Sequence, residues 1–183
     1  AALKSQQEAM KSGNPQVVLQ AVSNAMSFVA LSNSTNVTAA EKEAFANATT
    51  DAAEALSEVK PGDGVSADTV LSNADSIVNA SKGSDATTAE QQEVVESSVL
   101  NVVESFATEV DVSNVALFLS VVTSIKASLR AAAATDQVAS NIAASTQTDG
   151  PPVVVEKNGI TMSGQSFSGA NLANASTSTG STK

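Results

Sequence analysis

Residues 112–130 read V-S-N-V-A-L-F-L-S-V-V-T-S-I-K-A-S-L-R, the most apolar run in the chain. Val115, Phe118, Val122, Ile125 and Leu129 recur at the i, i+3/i+4, i+7 spacing of one helix face. Leu117, Leu119 and Val121 widen that face until apolar side chains surround most of the helix. Leaving such a helix wet would cost about 1.5–3 kcal/mol per large side chain, so it must be wrapped by others. It is too short, and too often broken by serine and threonine, for the ~20 apolar residues of a membrane crossing. The run is therefore expected to be the central helix of a helical bundle.

Helical signals lie to either side. Leu3, Ala9 and Met10 suit a short first helix over Ala2–Ser12, stopped at Gly13 in left-handed conformation. Asn14-Pro15 then supplies an N-cap and a first helical position, and Val18, Val22, Met26 and Val29 form a stripe to Leu31. Thr38-Ala-Ala-Glu41 reads as a capping box for a helix to about Val59, with Phe45, Ala48, Ala52 and Leu56 inward. Lys60-Pro-Gly-Asp-Gly64 ends that helix. A fourth helix is expected over about Ala67–Lys82, stopping at Gly83. Thr87-Thr-Ala-Glu90 reads as a second box, opening a helix to about Glu109 with Val95, Val99, Val102 and Phe106 on its stripe. After residue 130 a break or kink is expected near Thr135-Asp136, and the last helix ends near Ser145. From Gly150 the pattern changes. Pro151-Pro152 cannot continue a helix, and Val153–Lys157, Asn158-Gly159 and Ile160–Met162 carry the signal of a hairpin with a type I′ turn.

The expected class is mainly α: an antiparallel bundle of about six to seven helices over 1–148, then a β-hairpin segment over 149–167. A flexible Ser/Thr/Gly-rich tail over 168–183 completes the chain. Its core should be built of small pieces. Apolar residues make up 42% of the chain and aromatics only 3%, which leaves Phe28, Phe45, Phe106 and Phe118 as the large fillers.

Composition also narrows function. Nine basic against nineteen acidic residues, a net charge of −10, leave no patch to neutralise phosphates. Nucleic acid is therefore not an expected partner, and this segment is not expected to touch a membrane. With neither histidine nor cysteine, Ser–His and Cys–His pairs, disulfides and most zinc sites are excluded. Carboxylates remain: Glu93 with Glu96, and Glu104 with Asp111, could approach one another, though such charges mostly mark a solvated helix face. Asp63 and Asp68 lack the alternating acids of a calcium loop. No catalytic, metal or cofactor residue is assigned, and no enzyme activity is expected. The chain starts Ala-Ala-Leu, which suits a mature product or a piece of a longer protein.

The one recurring motif is Asn-x-Ser/Thr, at Asn33, Asn36, Asn47, Asn79 and Asn174, the candidate glycosylation sites. Asn33 and Asn36 fall in a polar loop, Asn47 on an outer helix face, Asn79 near a helix end and Asn174 in the tail.

Two segments carry a resemblance. Ser12-Gly-Asn-Pro-Gln-Val-Val-Leu-Gln-Ala-Val-Ser-Asn24 resembles helix starts in polycystin-1-like and egg-jelly-receptor-like ectodomains, where helices form the first part of a GAIN-type module. Ala144–Met162 looks like the crossing from that helical part into a β-sandwich. The family's cleavage motif, with its flanking cysteines, is absent, so the resemblance implies no cleavage activity for any residue here. The alanine, serine and asparagine bias is also similar to that of algal or protist surface glycoproteins, including flagellar-hair subunits. Together these features suggest a non-catalytic extracellular module of a large cell-surface or filament glycoprotein, possible in a cilium or flagellum. Its role would be adhesion, spacing or mechanical support, with other protein domains or chains as partners and N-glycans on its surface. The alternative is an amphipathic lipid- or ligand-binding helical bundle.

Overall fold

The computed structural model describes residues 2–31, 36–126, 128–145, 154–157 and 160–163. It is mainly α, with seven α-helices among the described residues: α1 (Ala2–Ala9), α2 (Pro15–Leu31), α3 (Ala39–Ser57), α4 (Ala67–Gly83), α5 (Ala89–Phe106), α6 (Val115–Ser124) and α7 (Leu129–Ser145). The chain divides into two compact units, 1–102 and 103–183, with the boundary inside α5.

In the first unit α1 packs on α2 and α3, and α2, α3 and α4 pack on one another. Local sequence sets the helix limits. Gly13 sits at φ +77°, a region that costs a Cβ-bearing residue strain. Asn14 Oδ1 then accepts from the backbone N–H groups of Gln16 (3.0 Å) and Val17 (3.4 Å), opening α2. Thr38 Oγ1 accepts from Glu41 N at 3.2 Å and donates to the Glu41 carboxylate at 3.1 Å. After α3, Asp63 Oδ2 accepts from Lys60 N at 2.9 Å while Gly62 and Gly64 take positive φ. Ser66 caps α4 through Thr69 N. The α2 stripe of Val18, Val22, Met26 and Val29 is buried, as are Ala48, Ala52 and Leu56 of α3 and Val70, Leu71, Ile77 and Val78 of α4. Alanine on facing helices lets their backbones approach closely, so the core is dense although it holds few large side chains.

Two details of this unit differ from the sequence expectation. The α5 cap is Thr88, not Thr87. Gln91 N donates to Thr88 Oγ1 (3.1 Å) and Thr88 N to Gln91 Oε1 (3.0 Å), a reciprocal box one residue downstream. Thr87 Oγ1 is instead buried without a hydrogen-bond partner among the described residues. Phe28 and Phe45, expected as core fillers, are only half-buried. Phe45 lies beside a cleft that packing leaves open.

In the second unit, α5 ends at Phe106 and tightens into a 3-10 turn over Ala107–Glu109. Phe106, Phe118, Leu119 and Ile142 are its largest fully buried side chains. The continuous helix expected over 112–130 is interrupted. α6 is ten residues long, and Ile125 is extended at φ −109°, ψ 164°. Within α6, Ser120, Thr123 and Ser124 donate their hydroxyls to the carbonyls of Ala116, Leu119 and Ser120, the same bond that Thr135 makes in α7. Ser128 then caps a new helix through Ala131 N at 3.1 Å. Phe118 (0% exposed) and Ile125 (8%) stay buried across the break, whereas Leu129, expected on the same face, is 91% exposed. The break expected at Thr135-Asp136 does not occur. α7 runs unbroken, with the buried Thr135 hydroxyl donating to Ala131 O at 2.8 Å.

Beyond Ser145, Val154–Lys157 and Ile160–Ser163 are extended segments. The Asn158-Gly159 turn, most of the expected hairpin segment and the tail lie outside the described residues. No described helix is long and apolar enough to cross a membrane.

Candidate functional site

The first unit holds a half-open cleft of about 820 Å³ bounded by α2, α3 and α4. Its wall follows from what each helix presents there. α2 turns Met26 and the serines 23 and 27 toward it, α3 contributes Phe45 and Thr49, and α4 contributes Asn73, Ser76 and Asn79. The volume lies within the ~300–1,000 Å³ of clefts that hold a small organic ligand.

The lining is neutral on balance. Lys42 and Asp85 are the two charged residues among those described, one of each sign. Four of its hydroxyls are spoken for as donors, while Ser84 Oγ accepts from Ala86 N at 3.3 Å. Ser23 Oγ donates to Asn73 Oδ1 (3.1 Å), Ser27 Oγ to Ser23 O (3.1 Å), Thr49 Oγ1 to Phe45 O (2.8 Å) and Ser76 Oγ to Ser72 O (3.1 Å). A hydroxyl has one proton and two lone pairs, so each of these four retains accepting capacity. The cleft therefore suits a neutral molecule that brings its own donors. Asn73 anchors the polar wall. It is 7% exposed, and its Nδ2 donates to Thr69 O at 3.0 Å.

The sequon asparagines fall at several places. Asn36, Asn47 and Asn79 are exposed; Asn33 and Asn174 lie outside the described residues. Asn47 Oδ1 accepts from Gln91 Nε2 at 2.7 Å, tying α3 to the start of α5. Asn79 belongs to the cleft wall. The sequon hydroxyls serve the fold: Thr38 caps α3, Thr49 bonds Phe45 O, and the buried Ser81 donates to Val78 O at 2.8 Å.

The candidate carboxylates take separate places. Glu104 pairs with Arg130, and Asp111 turns to its own loop, where Ser113 donates both Oγ (2.5 Å) and N (2.8 Å) to Oδ1. Those bonds, the hydroxyl first, hold Asp111 below the ordinary carboxylate range against a weaker opposing effect of burial. Glu93 is exposed and Glu96 half-buried on α5; Asp63 caps the turn after α3, and Asp68 sits in the first turn of α4. No group of three metal-ligating side chains occurs among the described residues.

Sequence reading missed the cleft. Its signal was Asn73, a polar residue at an inward position between Val70 and Ile77, with Ser76 and Asn79 following at helical spacing. Compared with known proteins, the chain matches no family model, no curated protein and no solved structure.

Proposed function

We propose that the chain is a non-catalytic structural or interaction module of a large extracellular glycoprotein, on a cell surface or in a filament. The observation that carries this reading is the exposure of all three described sequon asparagines, Asn36, Asn47 and Asn79, on one compact helical unit. A sugar-bearing surface over a small-residue core serves adhesion, spacing or mechanical support, with neighbouring domains or chains as partners. Asp111 and Asp63 held in turns, and Glu104 in an ion pair, support a structural use of these carboxylates.

The finer architecture belongs to the same proposal. Short connections between successive helices favour antiparallel neighbours over 1–148. A hairpin over 149–167, in which Val154 would face Ser163 and Val155 Met162, and a polar tail over 168–183 complete the proposed arrangement. A two-stranded pair is marginal alone, so its edges would accept strands from a following β-sandwich or a filament neighbour. That arrangement accords with the helical part of a GAIN-type, polycystin-1-like ectodomain or a flagellar-hair subunit.

Glycopeptide mass spectrometry on native material tests the reading: occupancy is expected at one or more of the five asparagines, and five bare sites overturn it. Electron microscopy of the native assembly then separates a filament from a receptor. The cleft favours one rival, a ligand-binding bundle, because its volume suits a small molecule.

A further inference from the structure

We infer that the cleft between α2, α3 and α4 is the seat of the chain's own N-glycan, carried by Asn79, whose first sugars lie against Phe45. The inference rests on the glycoprotein reading above and goes beyond it by assigning one sugar a place inside the fold. Three observations converge. Asn79 is at once a sequon asparagine, exposed, and part of the cleft wall. A glycan attached there begins inside the cleft and needs no separate affinity to find it, because attachment makes the encounter intramolecular.

The lining also has the chemistry of a sugar site. Ser23, Ser27 and Ser76 have each donated their proton to a protein oxygen, so what they offer a ligand is lone pairs; Thr49, bonded likewise, is buried behind them. Sugar hydroxyls are donors in surplus, and the balance of Lys42 against Asp85 selects for no net charge. The half-buried Phe45 ring supplies an apolar surface for the C–H face of a pyranose, beside Met26. A glycan core would thereby cover apolar surface that helix packing alone leaves wet.

The covalent step is ordinary sequon chemistry. Asn79 Nδ2 forms a bond to the anomeric carbon of a lipid-diphosphate-linked oligosaccharide, the carbon–oxygen bond to the diphosphate breaks, and the amide loses one proton. Ser81, the hydroxyl the sequon requires, is 3% exposed and donates to Val78 O in the finished helix. Transfer must therefore precede the folding of α4.

The test uses the full chain made in a glycosylating host. Glycopeptide mapping should find Asn79 occupied. Native enzymatic release of its glycan should run about tenfold or more slower than release from Asn36. Magnetisation transfer should link the inner sugar protons to the Phe45 ring, in an aromatic spectrum simplified by only five phenylalanines and no tyrosine or tryptophan. Ser81→Ala removes the sequon while leaving Asn79 in place, and Asn79→Gln removes both. The two variants should expose Phe45 to an apolar dye equally, identifying the sugar rather than the asparagine as the cover. Glycans at Asn36 or Asn47 with Asn79 bare overturn this inference and leave the glycoprotein reading standing. So do equal release rates with no contact to Phe45. Five bare asparagines overturn both.

Discussion

Thr87 and Thr88 show how narrowly a single position decides its role. The stretch Thr87-Thr-Ala-Glu-Gln91 fits a capping box twice, as Thr87 with Glu90 and as Thr88 with Gln91. Both obey the same local rule, so local sequence cannot choose between them. The fold takes the second and leaves the Thr87 hydroxyl buried and unsatisfied. Thr88→Ala should therefore lower stability by about 1 kcal/mol, as lost N-caps do. Thr87→Val, of similar shape and without the hydroxyl, should be neutral or stabilising, because an unmade buried hydrogen bond carries a desolvation penalty. Chemical denaturation followed by circular dichroism measures both, and the reverse order would move the cap back to Thr87. Asp111 gives a pH signature. Its folded pKa is depressed by the Ser113 bonds. Its contribution is thus complete above the unfolded carboxylate pKa and is lost as pH falls through the folded one. Asp111→Ala should destabilise at neutral pH, and the difference from the native chain should close below the carboxylate range. A difference that persists in strong acid would show that the carboxylate charge is not what Ser113 stabilises.

Among the elements, helix existence was legible and helix continuity was not. The spacing of Val18, Val22 and Met26, or of Val95, Val99 and Val102, marks a buried face whatever surrounds it, and all six are buried. The break after Ser124 escaped the same reasoning because the stripe continues through it: Ile125 remains buried although its backbone is extended. A hydrophobic period reports which side chains go inward. It does not report whether the backbone between them stays helical. Asn141 was missed for a related reason, since an asparagine on a helix flank looks like surface. Its Nδ2 donates to Ala107 O and Val110 O, both at 2.9 Å, fastening α7 to the end of the 3-10 turn. Asn141→Leu should destabilise the second unit by about 1–3 kcal/mol by removing both bonds, although Ala107 O keeps the Val110 N–H. Amide exchange should report faster opening of Val110 and its neighbours; unchanged protection there would show that water replaces the amide at no cost.

At the scale of the whole molecule, the boundary between units 1–102 and 103–183 falls inside α5, whose stripe from Val95 to Phe106 crosses it without a composition shift. No glycine, proline or charge run advertises it, which is why linker signals are silent there. The volume of the cleft was equally unreadable in advance, although the inward Asn73 marked its polar wall, because open space arises where three helices fail to meet and no one helix encodes it. Charge, by contrast, is a property of the entire chain, and with the burial of the described residues it bears on the choice between the structural module and its lipid-binding rival. An amphipathic bundle that opens around lipid must expose apolar stripes and find a surface that tolerates it. Here the large apolar residues exposed among those described are Val17, Leu31 and Leu129, too few for a stripe. The net charge of −10 opposes any anionic bilayer, where attraction is worth about 1 kcal/mol per basic residue at the surface. Neither phosphatidylcholine vesicles nor phosphatidylserine-containing ones should therefore sediment the protein at physiological ionic strength, and its far-ultraviolet circular dichroism should not change on adding them. Binding to the neutral vesicles alone would mean that the stripes open and that charge had merely masked it, and the rival would then displace the structural reading. Binding that appears only after native removal of the glycans would instead trace the exposed surface to the cleft.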